Sequence, residues 1–197
     1  MNVFFDLDGV ILDTEKPTFK LWKKLLGDKA GYLWWECLGL STEDEFKCFK
    51  DILRWKRTVY DEFKLATLVA PTIKPESIKV LTALKQKNHT LTLVTSSSKN
   101  STYEKLNCFN LAPFFTYIVT ADDVTNCKPN AEPYELAKSL NNSSGDDVIV
   151  VEDSTAGMFS AYRAGLKNLI FFDDTVRCPY LVVKAVITDL NQLLDLI

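Results

Sequence analysis

Histidine is nearly missing from this chain: of 197 residues only His89 carries an imidazole. A Ser-His-Asp or Cys-His mechanism would have to be built on that one ring. His89 lies in Lys87-Asn88-His89-Thr90, which reads as a solvated turn ahead of a strand. Paired cysteines are missing too. Cys37, Cys48, Cys108, Cys127 and Cys178 are odd in number and irregularly spaced, with no C-x-x-C pair. A structural zinc centre therefore has no evident ligand set, and reduced, separately buried cysteines in a cytoplasmic protein are expected. Positive charge is not in excess either. The net charge of −3 gives no reason to expect nucleic acid, which is bound through a basic patch or stripe. No stretch approaches about 18 uninterrupted apolar residues, so no membrane span is expected. A strand-like run begins three residues in, leaving no room before it for the charged and apolar parts of a secretory leader. No internal repeat is visible.

What is there begins with Val3 to Phe5, a short apolar run followed by Asp6-Leu7-Asp8-Gly9. Its length and content suit a buried strand. If strand geometry persisted, Asp6 and Asp8 would share a face. Gly9 then permits a turn without a Cβ penalty. Two carboxylates so close repel one another unless a cation or a proton lies between them, and hard oxygen ligands suit Mg²⁺. A strand end with solvated aspartates is the plainer alternative.

The period then changes. Phe19, Trp22, Leu25 and Leu26 fall at helical steps, as do Phe46, Phe49, Leu53, Tyr60 and Phe63 after a break around Gly27 to Gly31 and another at Gly39. All four tryptophans lie in this part, with packing as their simplest role. Residues 15–72 read as a helical insert, and Ile78, Val80, Leu81 and Leu84 mark a further helix beyond Pro75. From Thr90 the chain alternates. Strands are expected at Thr90–Thr95, Phe115–Val119, Val148–Val151, Leu169–Phe172 and Ala185–Ile187, with helices at Asn100–Leu106 and Pro133–Leu140. Ser154 is placed to cap another helix that ends near Gly165. Continuous apolar strands separated by helices argue a parallel sheet covered on both faces, an α/β fold.

In such a sheet ligands bind at the carboxyl ends of the strands. The polar residues following the apolar runs are Asp6 and Asp8, Thr95-Ser96-Ser97-Ser98-Lys99-Asn100, Asp122-Asp123, and Glu152-Asp153-Ser154. A helix starting after Ser96 or Ser97 would aim free N–H groups at an anion, although a serine run before a helix also serves as a plain cap.

The stretch Phe5-Asp6-Leu7-Asp8-Gly9-Val10-Ile11-Leu12-Asp13-Thr14 resembles the opening motif of the haloacid dehalogenase (HAD) superfamily, in its phosphatase and beta-phosphoglucomutase-like branches. Val94-Thr95-Ser96 resembles its second motif, Lys128-Pro129-Asn130-Ala131-Glu132-Pro133-Tyr134 its third, and Val150-Val151-Glu152-Asp153-Ser154 its fourth. The resemblance runs from about residue 3 to residue 172, and the order and spacing of the four motifs carry it. It implies a Rossmann-like core, residues 1–14 and 73–197, with residues 15–72 as a small all-helical cap that closes over the site. It implies that Asp6 is a phosphorylated nucleophile and Asp8 a general acid/base. Ser96 and Ser97 would bind the substrate phosphate, Ser97 through its backbone, and Lys128 would neutralise nucleophile and phosphate. Mg²⁺ would be held by Asp6, Asp153 and the backbone carbonyl of Asp8, with Glu152 a second acidic contributor nearby.

The implied activity is Mg²⁺-dependent hydrolysis of a small phosphorylated metabolite through an aspartyl-phosphate. A monomer or weak homo-oligomer in the cytoplasm is expected, with neither membrane nor nucleic acid as partner. A sugar phosphomutase is the nearest alternative. Thr18 and Thr42 stand where such mutases have a cap-side histidine and a phosphate-holding arginine, while Ser98-Lys99-Asn100 does match the mutase pattern. Cys127 replaces the glycine usual before Lys128. A phosphate-binding protein with little turnover is the alternative from another class.

Overall fold

The computed structural model describes residues 1–14, 39–40, 71–172 and 183–197. The cap expected from residues 15–72, with Thr18, Thr42 and the four tryptophans, lies almost entirely outside the described residues, as do Cys37, Cys48 and Cys178.

The apolar runs form the strands expected of them. β1 (Asn2–Phe5) lies between β4 (Thr90–Val94) and β6 (Val148–Glu152), flanked by β5 (Tyr117–Val119) on one side and β7 (Asn168–Phe172) and β8 (Ala185–Ile187) on the other. The order is β5-β4-β1-β6-β7-β8, and every pairing is parallel. The described helices are α1 (Ser77–Gln86), α2 (Lys99–Cys108), α3 (Glu132–Leu140) and α4 (Thr155–Arg163). Leu190–Asp195 forms a 3-10 helix.

Alternation along β1 divides the core. Val3 and Phe5 point to a layer with Leu91, Leu93, Ile149 and Val151, covered by Val80, Leu81 and Leu84 of α1 and Leu106 of α2. Phe4 points to the opposite layer, with Val94, Val150 and Leu169 beneath Tyr134 and Ala137 of α3 and Met158 and Ala161 of α4. Each fully buried Val, Leu or Phe contributes roughly 1.5–3 kcal/mol, so this two-sided burial is what fixes the register. Ile78 departs from its expected place. It is 48% exposed, because α1 turns Val80, Leu81 and Leu84 inward.

That register sets where the polar ends fall. Phe5 pairs with Leu93 on one side and Val151 on the other, so Asp6, Val94 and Glu152 come next along three adjacent strands. Asp6 keeps one more ladder bond, its N–H to the Val151 carbonyl at 3.0 Å. Asp8 does not stay on a strand face with Asp6, because β1 ends at Phe5. Gly9, at φ 88°, turns the chain back. Leu12 donates to the Leu7 carbonyl at 3.0 Å, and β2 (Leu12–Asp13) pairs antiparallel with β3 (Thr72–Ile73). This ribbon brings residues 12–13 beside residues 72–73.

Candidate active site

Asp6, at the end of the central strand, is nearly buried, and Lys128 meets it there from the loop before α3. Lys128 is 1% exposed. Its ammonium donates to Asp6 Oδ1 at 2.6 Å, to the Val94 carbonyl at 2.8 Å and to Glu152 Oε1. Three donors thus meet three acceptors, which is how a charge survives such burial. The two carboxylates hold the Lys128 pKa above the ordinary lysine range, outweighing the desolvation that would lower it. Burial pushes the Asp6 carboxyl well above its ordinary value, with Lys128 pulling the other way and Glu152 and Asp153 adding to the rise. The peptide between Lys128 and Pro129 is cis, and Cys127 is accommodated ahead of it without a glycine.

Glu152 is fully buried, and both of its carboxylate oxygens accept hydrogen bonds within the protein. The Tyr134 hydroxyl donates to Oε1 at 2.8 Å, and Ser154 Oγ donates to Oε2 at 3.1 Å. Ser154 in turn accepts from the Gly157 N–H at 3.0 Å, capping α4 as its position foretold. Gly157 could not be another residue, since a Cβ there would lie 1.9 Å from Glu152 Oε1. Burial and the Glu152 charge raise the Tyr134 pKa well above its usual value and keep it a neutral donor.

Asp8 turns another way. Lys105 Nζ, from α2, contacts Oδ1 at 2.8 Å and Oδ2 at 2.7 Å, and Ser97 Oγ donates to Oδ2 at 2.9 Å. Burial opposes ionisation of Asp8. The Lys105 charge, with hydrogen bonds from Lys105, Ser97 and Thr14, outweighs it and holds the carboxyl below its usual value.

The serine stretch is more occupied than a bare phosphate cradle. Ser96 Oγ donates to the Gly39 carbonyl at 2.9 Å, and the Ser97 N–H donates to Thr95 Oγ1 at 3.1 Å. At the α2 N-terminus, Ser98 Oγ takes the Ser101 N–H and Asp122 takes the Lys99 N–H at 2.8 Å. The helix start therefore does not present all of its donors to an anion. Asp123 caps its own turn through Thr120. Asp122 and Asp123 serve local structure, a correction to their grouping with the site. His89 is half-buried rather than solvated, and burial lowers its pKa.

Among the described residues, one group of carboxylates can surround a cation: Asp6, Glu152 and Asp153, with oxygens within 4.8 Å of one another. The donor set is all oxygen, and one ammonium faces two of its three negative charges. A hard divalent cation fits that imbalance.

The residues that the sequence singles out, Asp6, Asp8, Ser96, Ser97, Lys128, Glu152 and Asp153, all lie at this end of the sheet. Lys105 is not among them, nor are Tyr134 and Gly157, although these two stand beside recognised residues. The Tyr134 spacing, on the buried face of the helix that Lys128 precedes, was the available signal.

Fold and site together define a class: parallel α/β proteins whose central strand presents an aspartate to a buried lysine within an acidic cluster. Residues 3–171 match the Haloacid dehalogenase-like hydrolase family, and this chain belongs to it. It is 30% identical over 179 residues to a phosphorylated carbohydrates phosphatase of Thermotoga maritima, covering 85% of this chain and 82% of that one. It is 28% identical to the pyrophosphatase PpaX of Bacillus pumilus, covering 85% and 81%. A crystal structure of a hydrolase from Pseudomonas syringae superposes with a TM-score of 0.80 at 20% identity, covering 99% of this chain and 96% of that chain. Among the described residues no helix is long and apolar enough to cross a membrane.

Proposed function

We propose that this chain is a Mg²⁺-dependent phosphatase that hydrolyses a small phosphomonoester through phospho-Asp6, with residues 15–72 as its cap and the cytoplasm as its setting. The observation that carries the reading is the bond of 2.6 Å from buried Lys128 to Asp6, beside an all-oxygen acidic cluster. The phosphatases among its relatives support the reaction class.

In the first half, an Asp6 oxygen attacks phosphorus and the bond to the leaving oxygen breaks. The electron pair goes to that oxygen, and Asp8, once it has taken up a proton against the pull of Lys105, supplies that proton. In the second, the Asp8 carboxylate takes a proton from water, whose oxygen attacks the same phosphorus. The Asp6–phosphorus bond breaks, inorganic phosphate leaves, and Asp6 is restored. Lys128 offsets negative charge on Asp6 and the phosphoryl oxygens throughout, and Glu152, fixed by Tyr134 and Ser154, keeps Lys128 aimed. Asp6, Asp153 and the Asp8 carbonyl would hold Mg²⁺, which when bound supplies further positive charge to the phosphoryl group. Ser96, now bonded to Gly39, would exchange that carbonyl for a phosphoryl oxygen.

The test is a panel of sugar phosphates and pyrophosphate, the latter prompted by the pyrophosphatase relative. It is run with Mg²⁺ and with chelator, on the natural chain and on Asp6→Asn. Phosphate release should need Mg²⁺, vanish in the variant, and leave acid-trapped label on Asp6 alone. Turnover surviving Asp6→Asn, or unchanged in metal-free protein, overturns the reading. Phosphorus NMR of hexose phosphates separates it from the mutase alternative, which predicts isomer interconversion without accumulating inorganic phosphate.

A further inference from the structure

Lys105 has no part in the reaction as written, yet it is bound to a residue that does. It lies on α2 and reaches Asp8 across 97 positions of sequence. One ammonium spans both Asp8 oxygens, at 2.8 and 2.7 Å. Ser97 Oγ donates to Oδ2 at 2.9 Å and accepts from Lys105 at 3.1 Å, closing a triangle. The side chains are only 17% and 28% exposed. A lysine held in this way gives up rotamer entropy, which a fully solvated pair does not repay.

The direction of the hold also matters. Asp8 is two residues from Asp6, but among the described residues only Asp6, Glu152 and Asp153 converge on the acidic cluster. A fourth carboxylate released there would be repelled by the other three, or drawn onto a bound cation and lost as a proton carrier.

We propose that Lys105 is a positioning residue for Asp8: with Ser97 it keeps the Asp8 carboxylate on the α2 side, out of the acidic cluster and available for proton transfer. This rests on the aspartyl-phosphate reading above. Both halves of the reaction then depend on Lys105, although it touches neither phosphate nor leaving group. The dependence is clearest in the second half, where Asp8 must take a proton from water.

The experiment compares the full chain with Lys105→Met and Lys105→Arg in saturating Mg²⁺, using p-nitrophenyl phosphate and the best phosphomonoester of the panel. The aryl leaving group needs little protonation, so it isolates the second half. Lys105→Met should lower kcat about 10- to 100-fold, a part of what general acid/base catalysis supplies. KM and the Mg²⁺ half-saturation should stay within about twofold, since neither ground-state binding nor ligation is touched. Rapid mixing with the aryl phosphate should give a burst of nitrophenol with phospho-Asp6 accumulating. Lys105→Arg, which keeps charge and donors, should recover most of kcat. Natural kcat in Lys105→Met overturns the inference, as does a joint loss of kcat, KM and thermal stability that arginine fails to rescue. Asp6→Asn tells the two readings apart. If it is inactive while Lys105→Met is fully active, only the Lys105 inference falls; if it turns over, both fall.

Discussion

Lys128 and Lys105 each reach one of the two aspartates of the opening motif, and they do so in different surroundings. Lys128 is 1% exposed and shares its ammonium among Asp6, Glu152 and a backbone carbonyl. Lys105 is 17% exposed and spends its contacts on one carboxylate and one hydroxyl. In the buried arm the effective dielectric is low, so each charge depends on its partner for existence. In the outer arm the pair is less buried and partly screened, so more of its worth lies in direction. The two arms divide the work accordingly. In the proposed reaction, one fixes how much charge surrounds Asp6, and the other fixes where Asp8 points.

The largest effect should come from breaking the buried arm at its cation. Lys128→Met leaves the Asp6 and Glu152 carboxylates buried without a counterion, at a cost of about 3–5 kcal/mol. Urea unfolding in chelator should show that loss, and phosphatase turnover should disappear. Added Mg²⁺ should restore part of the stability but not the activity, since a cation at Asp6 replaces charge but not the three-way bond of Lys128. A loss under about 1 kcal/mol would mean that water already screens the buried arm as it does the outer one.

A smaller effect sharpens the same arm. Tyr134→Phe removes one hydroxyl that donates to Glu152 at 2.8 Å and changes little else in the packed layer. A hydrogen bond to a charged acceptor is worth about 1.5–3 kcal/mol. The variant should lose stability in that range by urea unfolding, with kcat reduced severalfold because Glu152 no longer holds Lys128 as firmly. Unchanged kcat would restrict Tyr134 to packing.

The difference between the arms also governs what could be read beforehand. Val3–Phe5 and Val148–Val151 announce buried strands because a parallel sheet covered on both faces demands continuous apolar runs. The carboxylates after them then fall at the strand ends by register alone. Asp6, Lys128, Glu152 and Asp153 were legible as members of spaced motifs. Lys105 was not, because a lysine in an otherwise polar helix looks like any solvated charge until the fold brings Asp8 to it. Gly157 gave no hint either, since its need comes from a carboxylate five residues earlier that bends back over α4. Asp122 was misread for a related reason. A strand-end carboxylate and a helix-capping carboxylate have the same local sequence, and only the meeting with the Lys99 N–H separates them. Residues 15–72 meet another limit: their periodic apolar residues lead to an expectation of helices, but side chains that would select a leaving group have no period.

The mildest change tests how the buried arm is tethered from outside. Glu132, at the start of α3, accepts from the Thr125 N–H at 2.7 Å and from the Asn126 N–H and side-chain amide at 2.8 and 2.9 Å. It so pins the loop that delivers Lys128. These bonds, led by that of the Thr125 N–H, lower its pKa from the ordinary 4.5. A carboxyl whose folded pKa is depressed stabilises the fold fully above the unfolded value and loses that contribution as pH falls through the folded one. Glu132→Gln should therefore lower the thermal midpoint slightly at pH 7, and the gap to the natural chain should narrow on acidification below 4.5. Because the carboxylate is open to water, the effect should be the smallest of the three. The amide still offers one acceptor, so the loop should hold and kcat should change less than with Tyr134→Phe. A gap that stayed constant down to about pH 3, well below the reference glutamate value, would mean that the charge of Glu132 contributes nothing and that its bonds to Thr125 and Asn126 act only as neutral contacts.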